Sequence, residues 1–433
     1  MQNGQRPLYN MYFYIILEKR RRNSMLFFEV KKIFSKTVNK VAILFLMASL
    51  IVISYWTIRD VEYLQENGQT MEHGITAARH LKEETKRWSG NLTEEVLQSI
   101  IDENIAINAT KEALSDDYRE NDKAYAKKQG YEDIRYLINK GFADFEAEYD
   151  YNRIDTISVE QVGRLYEQRT ANLKEWLNRE EVSDIYSKQE KQFLISKYES
   201  LKTPLYYEYC EGWKALLASQ YLPTFLIIVI LTIGFLISGI FSDEFSLKAD
   251  SILFSTKLGR GKAVWAKIGA GVLVITAIYW GIMFLYSLVV LGALGGDGAE
   301  CALQICVWDT LYNINLGQYY WLVMFAGYVG CLFILNAAML ISAKTRSAVL
   351  AIAVTFFLTC VTPFLGRIPV LKNIMESFPE MLLRMNTLMD EISLYQIGNK
   401  VFRSFELMMP GYLLLAVAIV PVLYVVYRRV EVG

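Results

Sequence analysis

The chain has 433 residues, of which 53% are hydrophobic and 21% charged, with a mean hydropathy of +0.20 and a formal net charge of −1. That hydropathy is high for a soluble chain carrying so much charge, and the near-zero balance argues against a nucleic-acid partner and against an acidic tail. Five cysteines without a CxxC pair and only two histidines, His73 and His80, exclude a disulfide-dense framework and leave no zinc signature, so no metal site is expected.

In chain order, the first apolar run is 41–58, VAILFLMASLIVISYWTI, preceded by Lys31, Lys32, Lys36 and Lys40. A bilayer core needs about 20 apolar residues of helix, and this run comes close. It is long for a signal peptide and ends in SYWTIRD without a small-residue cleavage site, so it reads as a retained anchor. About 160 mostly polar residues follow before the next run. This stretch, 59–220, reads as helical: Asn91-Leu92-Thr93-Glu94 and Ser158-Val159-Glu160-Gln161 have the form of capping boxes. Leu92, Val96, Leu97, Ile100, Ile101 and Ile105 follow the first, and Val162, Leu165, Tyr166, Leu173, Trp176 and Leu177 the second. Stripes at helical period fold on one another as the core of a small bundle.

Five more apolar runs follow, at 221–241, 268–294, 321–341, 348–365 and 408–426. The expected fold class is an all-α polytopic membrane protein with six transmembrane helices and a mainly helical extracytoplasmic domain inserted after the first. Lysine and arginine fix its direction. Lys248, Lys257, Arg260, Lys262 and Lys267, then Lys344 and Arg346, then Arg428 and Arg429, fall on alternate connections. The connection 295–320 has no Lys or Arg at all. Both termini are therefore expected in the cytoplasm, together with 242–267, 342–347 and the tail 427–433, while 59–220 lies outside. The last outer connection, 366–407, holds Ile374, Met375, Met381, Leu382, Leu383, Met385, Leu388 and Met389, and reads as an interfacial helix whose basic residues face headgroups.

The interiors of the runs contain no Asp, Glu, Lys, Arg or His, which weighs against an ion-driven carrier or a channel. Thr359, Thr362 and Pro363, and likewise Ala326, Gly327 and Gly330, read as interhelical packing. Cys301 and Cys306 lie five apart in the outer 295–320 connection. That spacing permits a disulfide in an oxidising exterior and equally permits two free thiols. The nearest approach to a phosphate loop, Lys257 to Ala263, lacks both the first Gly and the Ser or Thr after the Lys, so the chain has no nucleotide site of its own and is not an enzyme.

Between the second and third runs stand Phe241-Ser242-Asp243-Glu244, then Ser251 to Thr256, then Leu258-Gly259-Arg260, and finally Lys267. This order, with six spans and the lead-in MLFFEVKKIFSKTVNK at 25–40, resembles ABC-2 type ABC transporter permeases, among them bacterial members with a large extracellular insertion between spans one and two. The resemblance implies a cytoplasmic interfacial helix at 25–40, with 1–24 as an extension or an upstream start-codon choice. It also implies the membrane subunit of an exporter in the bacterial plasma membrane, forming the translocation path as a dimer with a second copy or a related permease. Partner ABC ATPase subunits would carry the ATP and Mg. The residues it assigns to coupling are Glu244, Phe245, Leu253, Leu258, Gly259, Arg260 and Lys267. The competing expectation is an ATP-driven mechanotransmission subunit that signals through its outer domain without moving solute.

Overall fold

The computed structural model describes residues 25–390 and 392–430, so the extension 1–24 and the end of the tail lie outside the described residues. The described residues are mostly helical, and six apolar helices among them make the bundle. Four are long enough to cross a membrane, Thr37–Arg59, Lys262–Leu294, Leu316–Thr345 and Ser404–Arg428, and two are shorter, Leu222–Ile237 and Ala348–Cys360.

Residues 25–35 form a helix of their own, separated from the first apolar helix by Lys36 in an extended conformation (ψ 128°). The buried Asn39 holds this bend, donating to the carbonyls of Ile33 at 2.8 Å and Leu236 at 3.2 Å. On the first apolar helix only a narrow stripe, Leu46, Leu50, Ser54 and Thr57, is buried, and it packs on the second and third helices. Such a helix lies at the edge of the bundle. The second apolar helix is the opposite case, buried round most of its circumference from Leu222 to Ile237, and therefore central. Asn315 and Gln318 cap the fourth helix reciprocally, and Ser347 caps the fifth. The fifth ends at Cys360, and the helix resumes as Thr362–Leu365, with Pro363 in its first turn.

The inserted domain is mainly helical and holds two of the three two-stranded pairings found among the described residues. Glu62–Leu64 pairs with Met71–His73, and Gly90–Asn91 pairs with Tyr206–Tyr207, so that the second joins the segment before Glu94–Asn108 to the stretch that leads out of the domain. That pairing corrects one expectation. Asn91 is drawn into an extended strand, and Thr93 takes the N-cap position of the helix Glu94–Asn108. The other capping box forms as expected, with Ser158 and Gln161 bonding reciprocally. Leu97, Ile100 and Ile101 are buried on the first helix, whereas Ile105 is exposed. The domain core is continuous with that of the bundle, and a smaller cluster around Leu173, Trp176, Leu177 and Tyr198 lies apart from it.

The region 366–407 departs most from expectation. It is not one interfacial helix but Pro369–Glu376, a 3-10 turn at Pro379–Leu383, a short helix at Met385–Asp390 and a hairpin, Leu394–Ile397 with Lys400–Arg403. Met381, Leu382, Leu383, Met385, Leu388 and Met389 are buried, while Ile374 is exposed. Two of the basic residues turn inward, while Arg367, Lys372 and Lys400 are exposed. Arg403 is 1% exposed and donates to the carbonyls of Leu388 and Met389, and Arg384 pairs with Glu380. The hairpin leans on the inserted domain, where Ser187 donates to Gln396 at 3.2 Å.

Candidate functional site

The inserted domain occupies one end of the bundle, and the connection between the second and third apolar helices lies at the other. After Ser242, Asp243–Ser246 makes a single turn, Lys248 adopts a left-handed φ of 53°, and Asp250–Ser255 makes a second short helix. Gly259 then brings the chain back. A Cβ there would stand 1.7 Å from the Leu253 carbonyl oxygen, so only glycine fits the turn that feeds the third helix at Lys262.

Lys267, with a fully buried side chain (0% exposed), sits at the centre of this end. Its ammonium donates to Glu244 Oε1 at 2.7 Å, Glu29 Oε2 at 3.1 Å and the Ile240 carbonyl at 3.0 Å, which uses all three of its donors. Lys32 reaches the same Glu244 oxygen at 2.5 Å, and Lys36 pairs with Asp243 at 2.5 Å. Carboxylates (Glu29, Asp243, Glu244) and ammonium groups (Lys32, Lys36, Lys267) therefore balance within one network. Burial works against an ionised Glu244, but Lys267 and Lys32 outweigh it and hold its carboxyl below the usual range. Burial also opposes the charge on Lys32, and Glu244 outweighs that in turn, raising the ammonium above its ordinary value.

Arg260 fastens the segment to a different helix. It donates to the carbonyls of Arg428 at 2.9 Å and Val430 at 3.0 Å, at the C-terminal end of the sixth apolar helix, and its guanidinium lies 4.9 Å from the Phe254 ring. Phe241, Phe245 and Phe254 gather round Tyr427, with ring centroids at 4.8, 6.1 and 5.4 Å. Arg346 places its guanidinium 4.8 Å from the other face of this cluster, over Phe245. Away from these anchors the segment presents apolar side chains to its surroundings: Leu247 is 72% exposed, Ile252 70% and Leu258 39%.

The structure thus joins Glu244 directly to Lys267, places Phe245 and Arg260 in the adjoining aromatic cluster, leaves Leu253 half-buried, and gives Gly259 the turn and Leu258 the surface. Three partners went unread in the sequence: Glu29, Lys32 and Lys36. Their spacing of three and four sets them on one helical face, a signal that could have found them. Leu247 was also missed.

At the opposite end a second charged group ties the inserted domain to the bundle. Lys214 Nζ bridges Asp133 Oδ1 and Glu211 Oε1, each at 2.6 Å. Burial pushes the Glu211 carboxyl up to about 7 despite Lys214 beside it. Cavities of about 290 and 500 Å³ flank the group. Arg169, 4% exposed, donates to the carbonyls of Trp308 at 2.5 Å and Thr310 at 3.0 Å, pinning the 295–315 connection to the domain. Cys301 and Cys306 are both free thiols in this structure, and Cys210, which the spacing argument passed over, lies beside them.

One comparison decides the family. The family described as ABC-2 family transporter protein matches residues 84–426, most of the chain. The chain belongs to this ABC-2 family. The match takes in most of the inserted domain and every apolar helix after the first, so this ABC-2 protein is a multi-pass membrane protein with a permease role in transport. No curated protein and no solved structure matches the chain.

Proposed function

We propose that the chain is the membrane-spanning permease subunit of an ATP-driven exporter, powered by separate ATPase subunits that dock on 242–261. In this reading all six apolar helices cross the membrane. Leu222–Ile237 has 16 residues. At 1.5 Å per residue such a helix is roughly 24 Å long, so flanking turns would complete that crossing. The basic connections face the cytoplasm and the inserted domain lies outside. ATP and Mg would be held by the partner, and a second copy or a related permease would complete the path.

The observation that carries the proposal is the pairing of an exposed apolar tip with a rigid base. Leu247, Ile252 and Leu258 offer a partner surface, and the same short segment is tied to three other elements through Lys267, Lys32 and Arg260. A displacement of the tip by ATPase closure would therefore reach the N-terminal helix, the third helix and the end of the sixth together. Differential contact of the ATPase with two arrangements of these helices is all that coupling requires.

The test is affinity purification from native membranes, where an ABC ATPase should accompany the permease. Glu244→Gln or Arg260→Ala should leave insertion intact and abolish transport-linked ATP hydrolysis. Normal coupling in both variants would overturn the role given to the segment. The mechanotransmission reading has one observation in its favour. The inserted domain grips two bundle connections at once, through Arg169 at 308–310 and Ser187 at Gln396, so helix movements would reach it directly. Loosening that grip with Arg169→Ala should spare flux in an exporter and silence a transmitter.

A further inference from the structure

The coupling segment leaves unused a cluster of thiols at the opposite end of the molecule. Cys210 immediately precedes the short helix Glu211–Leu216 that leads towards the second apolar helix, and it is 1% exposed. Cys301 is wholly buried in the 295–315 connection. Its Sγ accepts from the Glu208 N–H at 3.1 Å and lies 3.2 Å from the Glu208 carbonyl oxygen, against the strand end that runs into Cys210. Gly298, three residues before Cys301, takes a φ of 88°, and a Cβ on it would come within 2.6 Å of Cys210 Cα. The turn is thus pressed onto Cys210. Cys306 follows after the 3-10 turn Leu303–Ile305 and lines the 500 Å³ cavity together with Asp133 and Lys214. Asp133 Oδ2 stands 3.9 Å from Cys210 Sγ, so the cavity wall and the thiols are contiguous.

We propose that these residues form a thiol–disulfide site in which Cys210 is the shared partner, closing a disulfide with Cys306 or Cys301 and locking the 295–315 connection to the entry of the second apolar helix. The inference rests on the outward placement of the inserted domain, where an oxidising medium is available. The chemistry balances with an external disulfide as oxidant. Its bond breaks to give two thiols, while Cys210 and its partner each lose a hydrogen and form the new S–S bond. Cys210 is suited to the attacking role. Hydrogen bonds from the Cys301 and then the Cys306 thiol hold it below the usual thiol range against the opposing effect of burial, and the same contacts push the other two up. The cavity beside Cys306 supplies the access that Cys210 lacks.

The site also differs from the pairing that sequence spacing alone suggests. Cys301 and Cys306 belong to one connection, and a bond between them would tie that connection only to itself. A bond from Cys210 closes a loop of roughly 90 residues and so constrains the unfolded chain far more than a bond within the connection would.

The test uses the full-length protein in its native membranes. Cells are quenched in acid, free thiols are blocked with N-ethylmaleimide, and the purified protein is digested with chymotrypsin without reduction. Cleavage after Leu303 separates Cys301 from Cys306. Mass spectrometry should find the Cys210 peptide linked to one containing Cys301 or Cys306, and this species should vanish on reduction. Alkylation of all three thiols, or a Cys301–Cys306 link, would overturn the inference. An ATPase co-purifying with protein whose thiols are all alkylated would sink this proposal alone and leave the exporter reading standing.

Discussion

Lys267 at one end of the bundle has no exposed surface and is surrounded by Glu244, Glu29 and a backbone carbonyl, whereas Lys214 at the other end is 30% exposed and its partners border cavities. Both lysines fasten an appendage to the apolar helices, yet they do so in different solvents. A desolvated pair holds one geometry and strongly resists loss of a partner, while a hydrated one is cheaper to break and free to titrate. The 242–261 end is therefore held rigidly to its anchors, and the inserted domain is held by contacts that respond to their medium.

The largest effect should follow from removing the centre of the dry network. Lys267→Ala strips Glu29 of its ammonium partner and leaves the buried Glu244 with Lys32 alone, and should cost about 3 kcal/mol or more in thermal or denaturant unfolding of the protein in nanodiscs. Lys214→Ala at the other end should cost less in the same assay, because Lys214 keeps 30% exposure and the flanking cavities let water reach Asp133 and Glu211. Equal losses would erase the contrast between the two ends. Gly259→Ala should loosen 242–261 selectively, because its new methyl meets the Leu253 carbonyl. Amide exchange should rise across that segment and stay unchanged in the inserted domain.

Acidity gives a finer separation. The folded protein raises the Glu211 carboxyl from its ordinary value of 4.5 to about 7, so it binds that proton more tightly than the unfolded chain does. Stability from this group is full below the ordinary carboxylate range and falls as the pH rises towards about 7. Glu244 runs the other way. Its lowered carboxyl contributes above the ordinary range and fails only when the pH falls through the depressed value, while the raised Lys32 contributes below 10.5 and is lost only above it. Between pH 5 and 8, amide protection relative to the intrinsic exchange rate at each pH should fall around 207–218 and stay level across 242–267. Glu211→Gln should flatten the first profile.

How far the sequence foretells this depends on range. Apolar runs of membrane length and the Ser158 capping box are local patterns, and they stand in the structure as helices and a cap. Glu244 and Lys267 lie 23 residues apart but border the same two runs, so their meeting was within reach of pattern. Glu29 joins them across 238 residues; its spacing from Lys32 marks a charged helical face, but nothing local names the distant partner of that face. The hairpin at 394–403 is two strands of four residues, largely exposed and too short for alternation to stand out, and only Leu394 packs against the inserted-domain cluster around Leu173 and Tyr198. Asn91 shows a local signal losing to a distant one, since pairing with Tyr206 overrides its fitness as a cap.

The central claim is that 242–261 joins an external partner to the helices. It is tested most directly by capture of the ATPase on Leu247→Asp/Ile252→Asp. Both side chains are about 70% exposed, so the variant should insert and unfold like the parent. The account predicts that the ATPase no longer co-purifies with it, while a control such as Leu114→Asp, on an equally exposed leucine of the inserted domain, retains it. Undiminished capture by the double variant would contradict the account.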